Sequence, residues 1–379
     1  MGTFTALDHR LRGQFDIVFA NGWQPADVAH FVKRSATQRH VRLAVGYIAQ
    51  HARRTNAAER APDEWLTQLH ELGAFDPTAG TVLGGHGEVV ERWMRTEKLD
   101  EHEALDMAAF VGALLAAAGS LPHLIAPPAA WGASNRGTVP RALPTGEVDS
   151  KALRTIRALL AKAEATEFEA EAESFTAKAQ ALMTRHSIDA AMLAAHAAGA
   201  GTHAGITSRR VHIDNPYADE KALFLSMLAR VNGAKCVWSS GAGFTTVMGY
   251  PVDVQLTEVL FTSLLVQATH ASALATAHDR TLRTPSFKRA FMVSFADRIT
   301  ERLETASATI THQAEADYGS ALAPVLARRD AEVTAAVKEA FPATTMMKSR
   351  RYDAYGWHAG RAAADRADIG AGAAITSAC

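Results

Sequence analysis

A short basic segment near the C-terminus contains the residues best suited to bind phosphate. It holds three cationic side chains and one aromatic ring, namely Lys348, Arg350, Arg351 and Tyr352, and Arg361 follows nearby. A guanidinium group carries several N–H donors that suit phosphate oxygens, and an aromatic ring can stack on a nucleobase. The segment therefore predicts a nucleic-acid-binding patch, while a solvated basic loop is the alternative interpretation of the same residues.

The overall charge makes this patch a local feature of the chain. The sequence has 39 Lys and Arg residues against 40 Asp and Glu residues, so its formal net charge is −1. A nearly neutral chain has no long-range field that would attract nucleic acid or an anionic membrane. We therefore expect any nucleic-acid binding to depend on a few local cations.

The 16 histidines do not have the spacing of a metal site. The sequence contains no His-Glu-x-x-His motif, and none of its predicted helices carries two histidines four positions apart. We accordingly predict no metal and no cofactor. A hydrolase site assembled from distant residues such as His186 and Glu171 stays open as an alternative.

Motifs of nucleophilic and nucleotide-dependent enzymes are also missing from the sequence. There is no Gly-x-Ser-x-Gly nucleophile motif, no Walker phosphate loop and no dinucleotide-binding glycine fingerprint. The sequence thus leaves enzymatic activity open and favours a non-enzymatic function.

Cysteine content and hydropathy indicate a cytoplasmic protein. The two cysteines, Cys236 and Cys379, are too few for a disulfide framework. The first residues lack the basic region and apolar run of a signal peptide. The longest apolar stretch, residues 107–121, is shorter than the roughly 20 residues that cross a bilayer. We therefore expect no membrane partner.

Proline divides the chain into regions. Five prolines, at positions 122, 127, 128, 140 and 144, fall within one stretch of the sequence. Proline lacks a backbone N–H and fixes φ, so neither a helix nor a central strand runs through such a stretch. We predict a Pro/Gly-rich linker over residues 122–149, packed as an extended strap. It follows a helical N-terminal domain over residues 1–121, in which Pro25 begins a helix.

The strongest helical pattern follows this linker. Apolar residues recur at helical spacing in its first half, at Leu153, Ile156, Leu159, Leu160 and Ala163. Thr166 and Glu169 then fit a capping box that begins a second helix, and a short turn makes the two helices antiparallel. The pattern predicts a helical hairpin over residues 150–198, in which Asp189 caps a third, alanine-rich helix.

This segment resembles a known family. The string KALRTIRALLAKAEATEFEAEAESFTAKAQALMTRHSID, which begins at Lys151, is similar to the "domain of unknown function 2786" family. Shared features are a basic L-x-x-I-x-x-L-L helix, then A-x-x-T, then E-A-x-x-x-x-x-K-A-x-x-L-M. The resemblance covers about 40 residues and implies a bacterial or phage protein with a companion C-terminal domain. It implies no particular activity.

The region after the hairpin mixes short and long apolar runs. Short runs at residues 211–213, 235–238 and 244–248 predict strands, the last two joined by a glycine-rich hairpin turn. Longer runs from Pro251 onward predict helices, so residues 205–379 form a C-terminal α+β domain. The predicted fold is mainly α, with a helical N-terminal domain, a Pro-rich linker, an antiparallel helical hairpin and helices packed on a short antiparallel β-sheet.

Three functions are compatible with these patterns. The first is a non-enzymatic nucleic-acid-associated protein of bacterial or phage type, favoured by the basic patch. The second is a protein–protein adaptor that docks through the hairpin at residues 150–189, because its second helix has an alanine-rich face. The third is a hydrolase with a site assembled from distant segments.

Overall fold

The computed structural model describes residues 3–75, 89–132, 150–165, 169–197, 205–277, 282–345 and 353–366. The chain forms two compact units, one of residues 1–142 with 241–243 and the other of residues 143–240 with 244–379. Within the described residues, no helix combines the length and the apolar character needed to cross a membrane.

The N-terminal unit is helical. Its helices are α1 (Thr3–Ala20), α2 (Pro25–Ser35), α3 (Gln38–Arg54), α4 (Ala57–Arg60), α5 (Asp63–Glu71), α6 (Val89–Glu97) and α7 (Glu101–Ala116). Pro25 occupies the first turn of α2, as predicted, where its missing N–H would have no helical partner. Buried aromatic side chains form the centre of this unit, and the rings of Phe15 and Tyr47 stack with centroids 5.1 Å apart.

The first part of the predicted linker packs against this unit. Among residues 122–132, regular structure is limited to a 3₁₀ turn at Pro128–Ala130. The buried ring of Trp131 lies edge-on to Trp65 with centroids 5.3 Å apart, and its indole N–H donates to the Ala126 carbonyl over 2.8 Å. These contacts make this stretch a packed strap. The rest of the predicted linker, residues 133–149, lies outside the described residues.

The predicted hairpin consists of two helices, α8 (Ser150–Ala165) and α9 (Glu169–Ala197). The predicted helix break at Asp189 is wrong, because α9 continues through this position. Neither proline nor glycine interrupts α9, and Ile188 and Met192 are buried there against Ala314 and Leu322. The Asp189 carboxylate instead accepts a hydrogen bond from the Tyr318 hydroxyl over 2.7 Å.

The rest of the second unit contains a small antiparallel sheet, as predicted. Its strands β1 (Thr207–His212), β2 (Lys235–Ser239) and β3 (Phe244–Gly249) lie in the order β1-β3-β2. Its helices are α10 (Ala218–Val231), α11 (Pro251–Ala275), α12 (Pro285–Tyr318), α13 (Leu322–Ala340) and α14 (Ala354–Arg366). Every residue of β3 is buried, because β3 is the central strand. The predicted fold class, mainly α with a small α+β part, is confirmed.

One hydrophobic core joins the hairpin to the following helices. Ile156 of α8 and Met183 of α9 are fully buried in the same cluster as Phe224, Phe261 and Phe295. The regions predicted as residues 150–198 and 205–379 therefore share a core within one unit.

Two glycines let α14 approach α12 closely. A Cβ atom at Gly356 would lie 2.5 Å from the Phe287 carbonyl oxygen, and one at Gly360 would lie 2.0 Å from Ser294 Oγ. Because a side chain would not fit at either position, these glycines set the distance between the helices.

Candidate nucleic-acid interface

The helix α8 is amphipathic, and its apolar side attaches it to the core. Leu153, Ile156 and Leu160 are buried there, spaced by three and four residues. This attachment decides which residues of α8 face solvent.

The opposite side of α8 is basic. Its four cationic residues are Lys151, Arg154, Arg157 and Lys162, and all four are exposed. The helix has a single acidic residue, Glu164. These four cations, with Thr155, Ala158 and Ala161 between them, are called the basic face below. It spans about 17 Å from Lys151 to Lys162 at the 1.5 Å rise per residue of a helix.

Several cations elsewhere in this unit are paired with carboxylates. Arg209 Nη1 lies 2.6 Å from Glu258 Oε2, and Arg230 Nη1 lies 2.5 Å from Glu304 Oε1. By contrast, no carboxylate within the described part of the chain pairs with Arg154, Arg157 or Lys162. Among the described residues, Arg154, Arg157 and Lys162 therefore carry positive charge without an ion-paired carboxylate.

A shallow trough lies along the basic face. Its volume is about 340 Å³, and it is lined by Lys151, Arg154, Thr155, Ala158, Leu159 and Lys162. The small side chains leave the space, and the longer cationic side chains surround it. Such a trough suits a compact anionic group such as a phosphodiester.

Lys162 is oriented by an aromatic ring of the neighbouring helix. Its Nζ lies 5.5 Å from the centroid of the half-buried Phe175 ring on α9. A cation over an aromatic face is attracted by the ring without giving up its N–H donors. The Lys162 ammonium can therefore be positioned by α9 and still bind an anion.

Buried polar contacts fix α9, on which α8 packs. The Gln180 side-chain amide nitrogen donates to Ser307 Oγ of α12 over 3.1 Å, and Gln180 is fully buried. Thr184 and Ser307 exchange a further hydrogen bond of 3.1 Å. These contacts hold the hairpin in one register against α12.

The structure places only one residue of the predicted patch. Lys348, Arg350, Arg351 and Tyr352 lie outside the described residues. Arg361 lies on α14, where its Nη1 donates to Asp297 Oδ2 over 2.8 Å and its Nη2 donates to Glu301 Oε2 over 3.1 Å. These two carboxylates of α12 therefore neutralise the Arg361 charge that was predicted to bind phosphate.

The structure describes the side chain of one of the two residues considered for hydrolysis. The structure places His186 half-buried on α9, whereas the side chain of Glu171 lies outside its described part. Within the described ranges, no group of three or more His, Cys, Asp or Glu side chains could hold a metal ion.

The basic face was not among the sites predicted from the sequence. Its signal was present, since cations recur opposite the apolar stripe of α8. An exposed charged side is usual for an amphipathic helix, however, so the sequence pattern alone does not single it out. Whether Arg154, Arg157 and Lys162 meet a carboxylate depends on the tertiary structure, which the sequence pattern does not show.

Comparison with known proteins agrees with the resemblance of the hairpin. Residues 151–190 match the family described as "Protein of unknown function (DUF2786)", which confirms the predicted family for this short segment. No curated protein and no solved structure matches the chain. The matched segment contains the basic face and about the first three-quarters of α9.

Proposed function

We propose that this is a non-enzymatic nucleic-acid-associated protein that binds phosphates through the basic face of α8. The observation that carries the proposal is the excess of four exposed cations over one carboxylate on this helix. Cations that neutralise phosphates release condensed counterions, which supplies a large sequence-independent part of the binding free energy. Because the net charge of the chain is −1, this local face is the element expected to attract nucleic acid.

The basic segment before α14 is a second proposed contact. Lys348, Arg350 and Arg351 would add cations, and Tyr352 would add a ring for stacking. Arg361 is expected to contribute little, because Asp297 and Glu301 already accept its hydrogen bonds.

The adaptor alternative has less support from the geometry. On the second helix of the hairpin, Ala179 and Met183 are fully buried in the core of the same unit. A partner could use these residues only if the core opened. The hydrolase alternative has no observation in its favour.

The test is binding of the purified, nuclease-treated full chain to labelled duplex DNA, single-stranded DNA and RNA across a salt series. The informative variant is Arg154→Ala with Lys162→Ala. Its matched control is Arg230→Ala with Arg328→Ala, which removes two exposed cations that lie 2.5 Å and 3.7 Å from carboxylates.

We expect the basic-face variant to lose at least about tenfold in affinity at low salt and the control to lose no more than about twofold. Equal losses of affinity in the two variants would mean that only the net charge matters and that the basic face is not the binding site. Absence of binding at the lowest salt would overturn the proposed function.

A further inference from the structure

We infer that the ligand of the basic face is the backbone of duplex DNA, bound without dependence on base sequence. The inference rests on the proposed function and specifies its ligand. It follows from what α8 offers to solvent and from what it lacks.

The first argument is the form of the trough. Thr155 and Ala158 lie along it, and Lys151, Arg154 and Lys162 also line it. A phosphodiester strand that follows the trough would meet cations at several points of its length. Duplex DNA carries one negative charge per about 1.7 Å of its axis, so a face about 17 Å long spans roughly ten phosphates of the two strands.

The second argument concerns single strands. Proteins that bind single-stranded nucleic acid stack successive bases on aromatic side chains. The helix α8 contains no aromatic residue, and the Phe175 ring beside it is already engaged with Lys162. Since stacking contributes about 1–3 kcal/mol per base where it occurs, a face without rings is poorly matched to single strands.

The third argument concerns sequence and sugar recognition. Asn and Gln, the side chains that read adenine in the major groove, are absent from α8. RNA duplexes are distinguished by their 2′-hydroxyl groups, and Thr155 is the uncharged hydrogen-bonding side chain on the basic face. Contacts between cations and phosphates need neither base nor sugar recognition, so the phosphate backbone of duplex DNA is a sufficient ligand for this face.

The experiment is a competition assay with the full chain bound to a labelled DNA duplex. The competitors are an AT-rich duplex, a GC-rich duplex, the matching single strand and an RNA duplex of the same sequence. The logarithm of the binding constant is also measured against the logarithm of the salt concentration. A slope of about −2.7 is expected if Arg154, Arg157 and Lys162 contact phosphates.

Three results are expected together. The AT-rich and GC-rich duplexes compete within about twofold of each other, the single strand competes at least fivefold less well, and the RNA duplex competes no better than DNA. Arg154→Ala with Lys162→Ala reduces the salt slope by about 1.8, because each lost phosphate contact removes about 0.9. Arg154→Lys with Arg157→Lys keeps the slope, since charge is the property used.

Other results would overturn the inference and leave the proposed function standing. Tighter binding of the single strand or of the RNA duplex would assign a different ligand. Discrimination of more than tenfold between the two DNA duplexes would mean that Arg154 or Arg157 reads guanine. Absence of binding to every nucleic acid would overturn the proposed function and the inference together, so the two failures are distinguishable.

Discussion

The Arg329 side chain donates a hydrogen bond from Nη2 to Asp253 Oδ2 over 2.8 Å, and only 11% and 3% of the two side chains is exposed. Arg329 Nη1 also donates to the Ser187 carbonyl over 3.0 Å, and the Ser187 hydroxyl donates to Asp253 Oδ1 over 2.6 Å. The three residues lie on α13, α11 and α9. One buried ion pair therefore fastens the second helix of the hairpin to two helices that follow it in sequence.

This pair makes a strong prediction about stability. Burial raises the pKa of Asp253, whereas Arg329 and Ser187 act in the opposite direction. Removing one partner leaves the other charge buried, so we expect Arg329→Ala to lower the free energy of unfolding by about 3–5 kcal/mol. Asp253→Ala with Arg329→Ala should cost less than the sum of the two single changes. The measurement is urea unfolding followed by circular dichroism.

The neighbouring Arg328 provides the matched control. Half of its side chain is exposed, and its Nε lies 3.7 Å from Glu332 Oε1. Because exposed pairs contribute little, Arg328→Ala should change the free energy of unfolding by no more than about 1 kcal/mol. If Arg329→Ala behaved like this control, the buried pair would have no special role in joining the three helices.

The close approach of α14 and α12 predicts the effect of a single methyl group. In Gly360→Ala the new Cβ would meet Ser294 Oγ and the Phe291 carbonyl oxygen, at 2.0 Å and 2.4 Å before any relaxation. We expect a loss of about 1–3 kcal/mol in the free energy of unfolding, since inserting atoms into a close-packed interface displaces the helices. Thermal and urea unfolding both measure this change.

Gly13 of α1 serves as the comparison, because no described atom beyond the adjacent backbone of its own helix lies within 4 Å of a Cβ built there. Gly13→Ala should stabilise the protein by about 0.5–1 kcal/mol, as alanine favours a helix over glycine. Destabilisation by Gly13→Ala together with no effect of Gly360→Ala would contradict the packing described for α14.

His51 predicts the pH dependence of the N-terminal unit. Burial lowers its pKa from 6.5 to about 4; Asp16 raises the pKa, and Arg54 lowers it further. Below pH 6.5 His51 takes up a proton in the unfolded chain but not in the folded protein. The stability that neutral His51 contributes is therefore fully present above pH 6.5 and is lost as the pH drops toward 4. The full loss amounts to about 3 kcal/mol.

The check is the free energy of unfolding at pH 7 and pH 4.5 for the wild type and for His51→Phe. The variant should lose less stability between the two pH values, because phenylalanine does not titrate. His102→Ala is the control, since 88% of the His102 side chain is exposed. If the free energy of unfolding of the wild type and of His51→Phe showed the same pH dependence, the destabilising effect of His51 protonation would be contradicted.

The position of Arg361 predicts a weak effect on nucleic-acid binding. Its guanidinium group donates to Asp297 and Glu301, and hydrogen bonds from Arg298 and Arg361 lower the pKa of Glu301. We expect Arg361→Ala to change DNA affinity by less than about twofold, whereas Arg154→Ala should weaken binding by about threefold or more at low salt. The measurement is fluorescence anisotropy at one low salt concentration. A larger loss of affinity with Arg361→Ala would mean that Arg361 contacts the nucleic acid.

Local sequence patterns were sufficient to predict much of the architecture. Apolar spacing predicted α8, β2 and β3, and Pro25 predicted the start of α2, because these signals act within a few residues of the chain. The strand predicted at residues 211–213 overlaps only the end of β1, which begins at Thr207. The same local reasoning failed at Asp189, which resembles a helix cap in sequence. Its carboxylate is satisfied by Tyr318, more than a hundred residues away, so α9 has no reason to end there.

The candidate site also depends partly on local sequence and partly on the tertiary structure. The sequence by itself determined that α8 is amphipathic and that its outer side carries Lys151, Arg154, Arg157 and Lys162. Only the tertiary structure decided which arginines have carboxylate partners, since Arg361 meets Asp297 and Glu301 through the packing of α14 on α12. Ion pairs between distant segments depend on how helices pack, and that geometry is absent from any local pattern of residues.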